Sequence, residues 1–190
     1  MSALAEASEA EIDRARELAS IGAGHAASAL AGITGRTCEM RVPSVQSASL
    51  PESDLTGVLF ELTGGTGGVL ALFFPVATRD RLLEHLLGPS FSSERATPRA
   101  HSALCEVGNI LASHAVNALG EMVGEAMLPS PPQLALTDAP EALANLLARR
   151  HGEGPALRIE TEIFDRAGEL HGILVFVPDT LECVAGATGF

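Results

Sequence analysis

Two side chains with complementary chemistry, Glu106 and Asn109, stand three residues apart within the segment 102–132. At about 100° per residue they fall on one polar stripe of a predicted amphipathic helix, whose other side is apolar. The stripe consists of Ser102, Glu106, Asn109, Ser113 and Asn117. The sequence therefore predicts that an acid and an amide, one helical turn apart, point away from the core together.

This pair suits a hydrolysis in which a water molecule is placed rather than deprotonated. The amide of Asn109 can donate a hydrogen bond to a water and accept one from it. An ionised glutamate only accepts, so Glu106 suits holding a lysine of another protein. Taken alone, the two residues also fit a solvated helix face.

The helix that carries the stripe occurs twice in the sequence. A shift of 89 residues lays segment 13–30 on segment 102–119 without a gap, and the two agree at seven of 18 positions. The matched pairs include Glu17 with Glu106. A face that is merely solvated does not require its polar residues to recur at the same spacing, so the repeat favours a functional interpretation of the stripe.

Both copies follow one motif, in which Asp or Ser, Glu and Asn stand at fixed spacing and a proline follows after 22 further residues. The second copy is complete and reads Ser102, Glu106, Asn109 and Pro132. The first copy reads Asp13, Glu17, Ser20 and Pro43, with serine in place of asparagine. The duplication predicts a single domain, 1–190, made of two pseudo-symmetric halves at about 8–87 and 99–190.

The remaining patterns predict an α/β protein of the α+β type. The first motif helix spans 8 to about 33, with Ser8 as N-cap and Glu11 completing a capping box. Further helices are predicted at 78–87 and 138–150, and β-hairpins at 57–62 with 68–74 and at 157–164 with 170–177. We expect the two long motif helices to pack on one antiparallel-rich β-sheet, with the glycine and alanine face of the first helix in close contact with a neighbour.

Composition excludes several classes of partner. A net charge of −12 and the lack of any Lys/Arg-rich run argue against nucleic acid. No apolar run approaches the roughly 20 residues that span a bilayer, and the N-terminal segment is acidic, so we expect no membrane span and a cytoplasmic location.

The cysteines, Cys38, Cys105 and Cys183, are widely spaced and lack zinc-ligand spacing, which predicts free thiols in a reducing compartment and no metal site.

Three other features have competing interpretations. His25 and His114 occupy equivalent positions, where a packing role at the edge of the stripe competes with metal ligation and is favoured because neither has a ligand at i+4. The glycine-rich segment 64–68 joins two predicted strands and lacks a following Lys-Ser/Thr, so it fits a turn better than a phosphate loop. Cys105 could be a nucleophile only with a base that the sequence does not place beside it.

The duplicated motif, with the surrounding I-G-A-G-H-A-A-S-A-L and E-V-G-N-I-L, resembles the CheC family of chemotaxis proteins, relatives of CheX and of the phosphatase part of FliY. The resemblance covers nearly the whole chain. It implies a phosphatase that hydrolyses the phosphoaspartate of the response regulator CheY, with Glu106 and Asn109 as the catalytic pair. It also implies CheD as a second partner.

On this interpretation Asn109 positions the water, Glu106 docks a regulator lysine, and Ser102 and Pro132 shape the start of the helix and the neighbouring loop. The protein needs no cofactor of its own, and the regulator supplies the Mg²⁺ ion. The first site, with Glu17 and Ser20 and supported by Asp13 and Pro43, is degenerate because a serine hydroxyl is too short to act as the amide does. The alternative is an adaptor with slow turnover that binds CheD or sequesters phosphorylated regulator.

Overall fold

The computed structural model describes residues 8–46, 54–88, 98–152 and 157–180, so Cys183 and most of the connector between the two halves lie outside the described residues. The helices are α1 (Glu9–Thr34), α2 (Val76–Leu87), α3 (Pro98–Val123) and α4 (Ala139–His151). The strands are β1 (Cys38–Met40), β2 (Ser44–Gln46), β3 (Leu55–Thr63), β4 (Gly68–Pro75), β5 (Leu128–Pro129), β6 (Gln133–Ala135), β7 (Arg158–Asp165) and β8 (His171–Val177). The predicted α+β class and both predicted hairpins are confirmed.

The described strands form one sheet in the order β1-β7-β8-β4-β3-β5, and all of their pairings are antiparallel. The two hairpins lie side by side at the centre, where β4 pairs with β8. The short strands β1 and β2, which follow α1, both pair with β7, whereas β5 and β6, which follow α3, both pair with β3. Each motif helix is therefore followed by strands that complete the hairpin of the other half.

The two motif helices pack together on one face of this sheet and share the main core with it. The small face predicted for α1 is in close contact with α3: a Cβ atom at Gly22 would lie 3.4 Å from Leu119 Cγ and 3.6 Å from the carbonyl oxygen of Ala115. The prediction that this face lies against a close neighbour is confirmed. None of the helices within the described ranges is both long and apolar enough to cross a membrane.

Helix α4 covers the opposite face of the sheet. Its buried Leu143 and Leu146 join a second apolar cluster with side chains of β3, β4 and β8, among them Phe73 and Val175. Strand β4 is thus enclosed by helices on both sides, which explains why its sequence V-L-A-L-F-F is apolar at every position.

The boundaries of the elements follow the internal repeat. Helices α1 and α3 both have 26 residues, and each end of α3 lies 89 residues after the corresponding end of α1. The same shift of 89 takes β2 onto β6, whereas β3 and β4 begin 103 residues before β7 and β8, because the segment between β6 and β7, which contains α4, is 14 residues longer than the segment between β2 and β3 (103 − 89). These coincidences support our proposal that the domain consists of two related halves.

Several boundaries differ from the sequence prediction by one to four residues, the starts of α3 and α2 among them. Helix α3 begins at Pro98, four residues before Ser102, because its first turn accepts proline and its buried Ala100 packs with Leu83 and Leu104. Helix α2 begins at Val76, directly after β4 ends. At the start of α1 the predicted capping box is confirmed: the Ser8 hydroxyl accepts from the Glu11 backbone N–H at 3.3 Å, and the Glu11 carboxylate accepts from the Ser8 N–H at 2.7 Å.

Candidate functional site

The motif residues of the second copy lie on the outer side of α3. Glu106 is exposed and Asn109 is half-buried, whereas the neighbouring Val107 and Leu111 are buried against the core. The predicted stripe faces outward along its length, with Ser102 and Asn117 exposed and Ser113 half-buried. Helix α3 therefore presents an acid and an amide on one side, within reach of a protein that docks there.

A glycine between the two motif residues seats the helix on the sheet. A Cβ atom at Gly108 would lie 2.6 Å from Val58 Cγ1 on β3, a distance that side chains do not tolerate. Gly108 is not among the site residues predicted from the sequence. The available signal was an interior helical glycine beside two functional positions, since glycine is unfavourable there unless it allows close approach.

The first copy of the motif lies on α1, beside α3 in the same helical layer. Glu17 is exposed and Ser20 is half-buried, as are their counterparts Glu106 and Asn109. Asp13 is exposed and pairs with Arg16 at 3.3 Å within the helix. The two copies thus have the same exposure and differ in the side chain that could hold a water.

The two motif prolines occupy matching places, immediately before β2 and β6. Pro43 is buried and Pro132 is half-buried. Proline is tolerated there because a residue that precedes a strand does not have to donate a backbone N–H hydrogen bond to the neighbouring strand. Ser102, in contrast, lies in the second turn of α3, so the idea that it shapes the start of the helix is wrong: that start is at Pro98.

A groove continues the stripe beyond the C-terminal end of α3. Its volume is about 530 Å³, and its lining includes Asn117, Glu121, Glu125 and Leu128. Leu128 is 65% exposed and gives this groove an apolar side chain that is open to solvent. Arg99 is the only Lys or Arg in α3. The groove therefore offers two carboxylates and an exposed apolar side chain, which suits a partner that presents basic and apolar side chains.

The two histidines, Cys105 and the glycine-rich segment all have environments that favour a structural role. His25 and His114 are both exposed, and no group of His, Cys, Asp or Glu in the part of the chain that the structure describes could hold a metal ion. Burial raises the pKa of the Cys105 thiol, which disfavours the thiolate that a nucleophile requires. The segment 64–68 forms the turn between β3 and β4, as predicted.

A second cleft, of about 400 Å³, lies at the other end of the helical layer between α1, α2 and the β7–β8 turn. Its guanidinium groups are already engaged: Arg36 pairs with Asp165 at 2.9 Å and with Glu169, and Arg81 donates to the Glu169 carbonyl oxygen at 2.7 Å. Because its cations are held by the protein's own groups, we assign it a structural role.

Comparison with known proteins points to one family. The CheC-like family model matches residues 100–135, which include Glu106, Asn109 and Pro132. CheY-P phosphatase CheC of Bacillus subtilis (strain 168) is 28% identical over 186 residues, which cover 90% of this chain and 89% of the relative.

Solved structures show the same fold. Thermotoga maritima FliY matches with a TM-score of 0.70 and 21% identity over 94% of this chain and 96% of its own. The CheX-CheY-BeF3-Mg²⁺ complex from Borrelia burgdorferi matches with a TM-score of 0.59 and 14% identity over 84% of this chain and 96% of the matched chain. The resemblance to the CheC family that the motif predicted is therefore confirmed by the family model, by the sequence relative and by the fold.

Proposed function

We propose that this protein is a chemotaxis phosphatase that hydrolyses the phosphoaspartate of a CheY-like response regulator in the cytoplasm. The observation that carries the proposal is the outward-facing pair of Glu106 and Asn109 on α3, within the segment that the CheC-like family model matches. Similarity to a CheY-P phosphatase over 90% of the chain, and a shared fold with the CheX that binds CheY, support it.

Asn109 places the attacking water. Its amide donates one hydrogen bond and accepts another, so it can hold a water in line with the phosphorus atom and opposite the aspartate leaving group. The amide is half-buried on a rigid helix, which limits its rotation before the regulator binds. The water's proton passes to the phosphate oxygens or to solvent, and no base of this chain is required.

Glu106 docks the regulator. Its carboxylate is exposed one turn before Asn109, where it can accept a hydrogen bond from a lysine ammonium of the partner. Such a charge-assisted bond fixes the orientation of the two proteins, while the overall acidity of this chain provides no attraction to a phosphorylated acidic pocket. Glu106 therefore contributes mainly to binding and Asn109 mainly to the chemical step.

The metal ion belongs to the regulator in this proposal. In the CheX-CheY complex the phosphate analogue BeF3 and Mg²⁺ accompany the two proteins. Mg²⁺ neutralises charge on the transferred phosphoryl group, which leaves this chain only the tasks of docking and water placement. Ser102 and Pro132 support the site from the second turn of α3 and from the position immediately before β6.

The first site is weaker in this proposal. Ser20 replaces the amide, and its hydroxyl is too short to reach a water near a docked phosphate. Glu17, Asp13 and Pro43 retain the rest of the motif, so this site can still contact a regulator without placing the water.

The test is a phosphate-release assay with the organism's phosphorylated regulators. We expect the wild type to accelerate release and Asn109→Ala to lower kcat by about 100-fold while it still binds the BeF3-treated regulator. Glu106→Ala should instead raise KM by about tenfold. Undiminished turnover by Asn109→Ala would contradict the assignment.

An adaptor with slow turnover is the second candidate, and the missing amide at Ser20 is the observation that favours it. Such a protein would hold CheD or sequester phosphorylated regulator. A pulldown with CheD beside the phosphate-release assay separates the two: binding without faster release supports the adaptor.

A further inference from the structure

One contact sets the height of the motif helix above the sheet. Gly108 stands between Glu106 and Asn109 and faces Val58 on β3, and a Cβ atom at position 108 would lie 2.6 Å from Val58 Cγ1 and 3.0 Å from Val58 Cβ. We propose that Gly108 is a positioning residue, which seats α3 on Val58 and so fixes where Asn109 holds the water. This inference rests on the proposed phosphatase function and assigns a further residue to it.

The backbone of Gly108 does not need glycine for its conformation. It lies within α3 with a negative φ angle, which any residue adopts. In a helix interior, glycine is less favourable than alanine. Since the residue brings no conformational advantage, the close approach to β3 is the physical reason for its presence.

Val58 cannot move aside to admit a side chain. It is fully buried in β3, where it pairs with Leu72 of β4 on one side and with Leu134 of β6 on the other. Its Cβ atom is one of the close contacts, so a change of rotamer does not remove the overlap. A methyl group at position 108 therefore has to push the helix outward, by about 1 Å if an ordinary carbon–carbon separation is to be restored.

This displacement would affect the two motif residues differently. Asn109 has a short side chain and must place a water within a few tenths of an ångström, and a 1 Å error in such geometry costs about 100-fold in rate. Glu106 is exposed and has one more rotatable bond, so its carboxylate can follow a lysine on the partner. The chemical step should therefore suffer more than binding.

The repeat provides an internal comparison. The shifts of 89 and 103 residues that relate the two copies make Ala19 the equivalent of Gly108 and Thr161 the equivalent of Val58. The seating glycine is thus present in the copy that has the amide and absent from the copy that has Ser20. Thr161 is buried, and its hydroxyl oxygen has no hydrogen-bond partner among the described residues, so the equivalent strand positions also differ chemically.

The experiment compares Gly108→Ala with the double variant Gly108→Ala/Val58→Ala. For Gly108→Ala we expect kcat to fall at least tenfold and KM to change by less than about threefold, measured well below the melting temperature so that all of the protein is folded. The double variant removes the two γ carbons and should recover at least threefold of the lost kcat. A purely structural role would leave kcat of the folded protein unchanged.

Two controls separate positioning from loss of stability. Leu143→Ala removes a buried side chain from α4 on the opposite face, and it should lower the melting temperature without lowering kcat. Gly22→Ala adds a methyl group at 3.4 Å from Leu119, an ordinary contact, and should keep kcat within twofold.

A crystal structure of Gly108→Ala makes the test independent of activity. We expect α3 to move away from β3 by about 1 Å near position 108. An unmoved helix would overturn the positioning role even if the wild type releases phosphate, and so would a kcat within twofold of wild type. Conversely, if the wild type is inactive but the helix is displaced in the variant, the phosphatase function is refuted, while the conclusion that Gly108 positions α3 on Val58 still holds.

Discussion

The two motif helices, α1 and α3, show which residues preserve the fold and which can preserve a function. Both have 26 residues, lie side by side on the same face of the sheet, and bury a face of small and aliphatic side chains. Both expose a glutamate at the same position of the motif. They differ at Asn109, which is Ser20 in α1, and at Gly108, which is Ala19. Both copies therefore retain the pattern of buried side chains, whereas only the second copy has the complete set of outward-facing motif residues.

The two hairpins show a second contrast. The turn between β3 and β4 depends on glycines with positive φ, and a Cβ atom at Gly64 would lie 2.2 Å from the carbonyl oxygen of Ala126. The turn between β7 and β8 also has a glycine with positive φ, Gly168, and in addition uses the side chain of Asp165, which accepts from the N–H groups of Glu169 and Leu170 and from Arg36. Both turns thus use glycine with positive φ, and only the turn of the second half adds a buried carboxylate.

The largest expected effect concerns the motif amide. Asn109→Ser gives the second site the residue of the first, and we expect phosphate release to fall by about 100-fold because the hydroxyl cannot reach and bridge the water. Ser20→Ala should change the rate by less than twofold. The measurement is steady-state phosphate release at saturating phosphorylated regulator. Equal losses in the two variants would mean that the sites contribute equally.

The next effect concerns the β7–β8 turn. Asp165 is 4% exposed, and its replacement in Asp165→Asn removes the charge that pairs with Arg36 and weakens two backbone hydrogen bonds. We expect the free energy of unfolding to fall by about 2 kcal/mol, measured by urea denaturation. Thr63→Ala, an exposed position at the end of β3 beside the other turn, is the control and should cost much less.

The same carboxylate predicts a dependence on pH. Burial alone would raise the pKa of Asp165, but hydrogen bonds from the Leu170 N–H, the Arg36 guanidinium and the Glu169 N–H lower it below its ordinary value. A group whose pKa is lower in the folded state stabilises the protein above its unfolded pKa, ~4 for aspartate, and this contribution is lost as the pH falls through the folded value. We therefore expect the stability difference between wild type and Asp165→Asn to shrink below about pH 4, in urea titrations at several pH values.

A gain of function provides a further test. In the Asn109→Ala background, Ser20→Asn restores the amide to the first site, and we expect phosphate release to rise by about tenfold if that site still docks the regulator. The gain should stay below the wild-type rate, because Ala19 and Thr161 do not reproduce the seat of Gly108 on Val58. A rate that does not rise would show that the first site has lost docking as well as water placement.

The smallest expected effect concerns the groove at the end of α3. Leu128→Ser removes an exposed side chain near the motif stripe, and we expect KM for the phosphorylated regulator to rise roughly threefold at constant kcat, since a side chain at the rim of an interface contributes little. Val42→Ser is the matched control, because Val42 is 86% exposed and lies after β1, at the opposite edge of the sheet. A KM that rises equally in both variants would argue against the groove as part of the docking surface.

Much of the fold could be predicted because its signals are local. The capping box at Ser8, the glycine turn at 64–68 and the prolines that precede β2 and β6 each have a short-range physical cause. The outward direction of Glu106 and Asn109 followed from helical periodicity alone. The duplication also indicated that β-hairpins recur at matched places.

The structural features that were not predicted from the sequence depend on contacts between segments that are distant along the chain. The seat of Gly108 on Val58 joins residues that lie 50 positions apart, and no local pattern in β3 marks Val58 as the residue under the helix. The groove beside Leu128 forms only where the segment after α3 returns to the edge of the sheet. The start of α3 at Pro98 was missed because Ala100 gains its stability from Leu83 on another helix.

The crosswise pairing of the short strands makes the two halves dependent on each other for folding. Strand β2 pairs with β7 through Ser44 and Glu160, and β6 pairs with β3 through Leu134 and Val58, so neither hairpin acquires its outer neighbour from its own half. Such long-range pairings raise the contact order, which slows folding and favours a single cooperative transition. The first half therefore cannot be lost even if its site is inactive, because its strands complete the sheet on which the active helix rests.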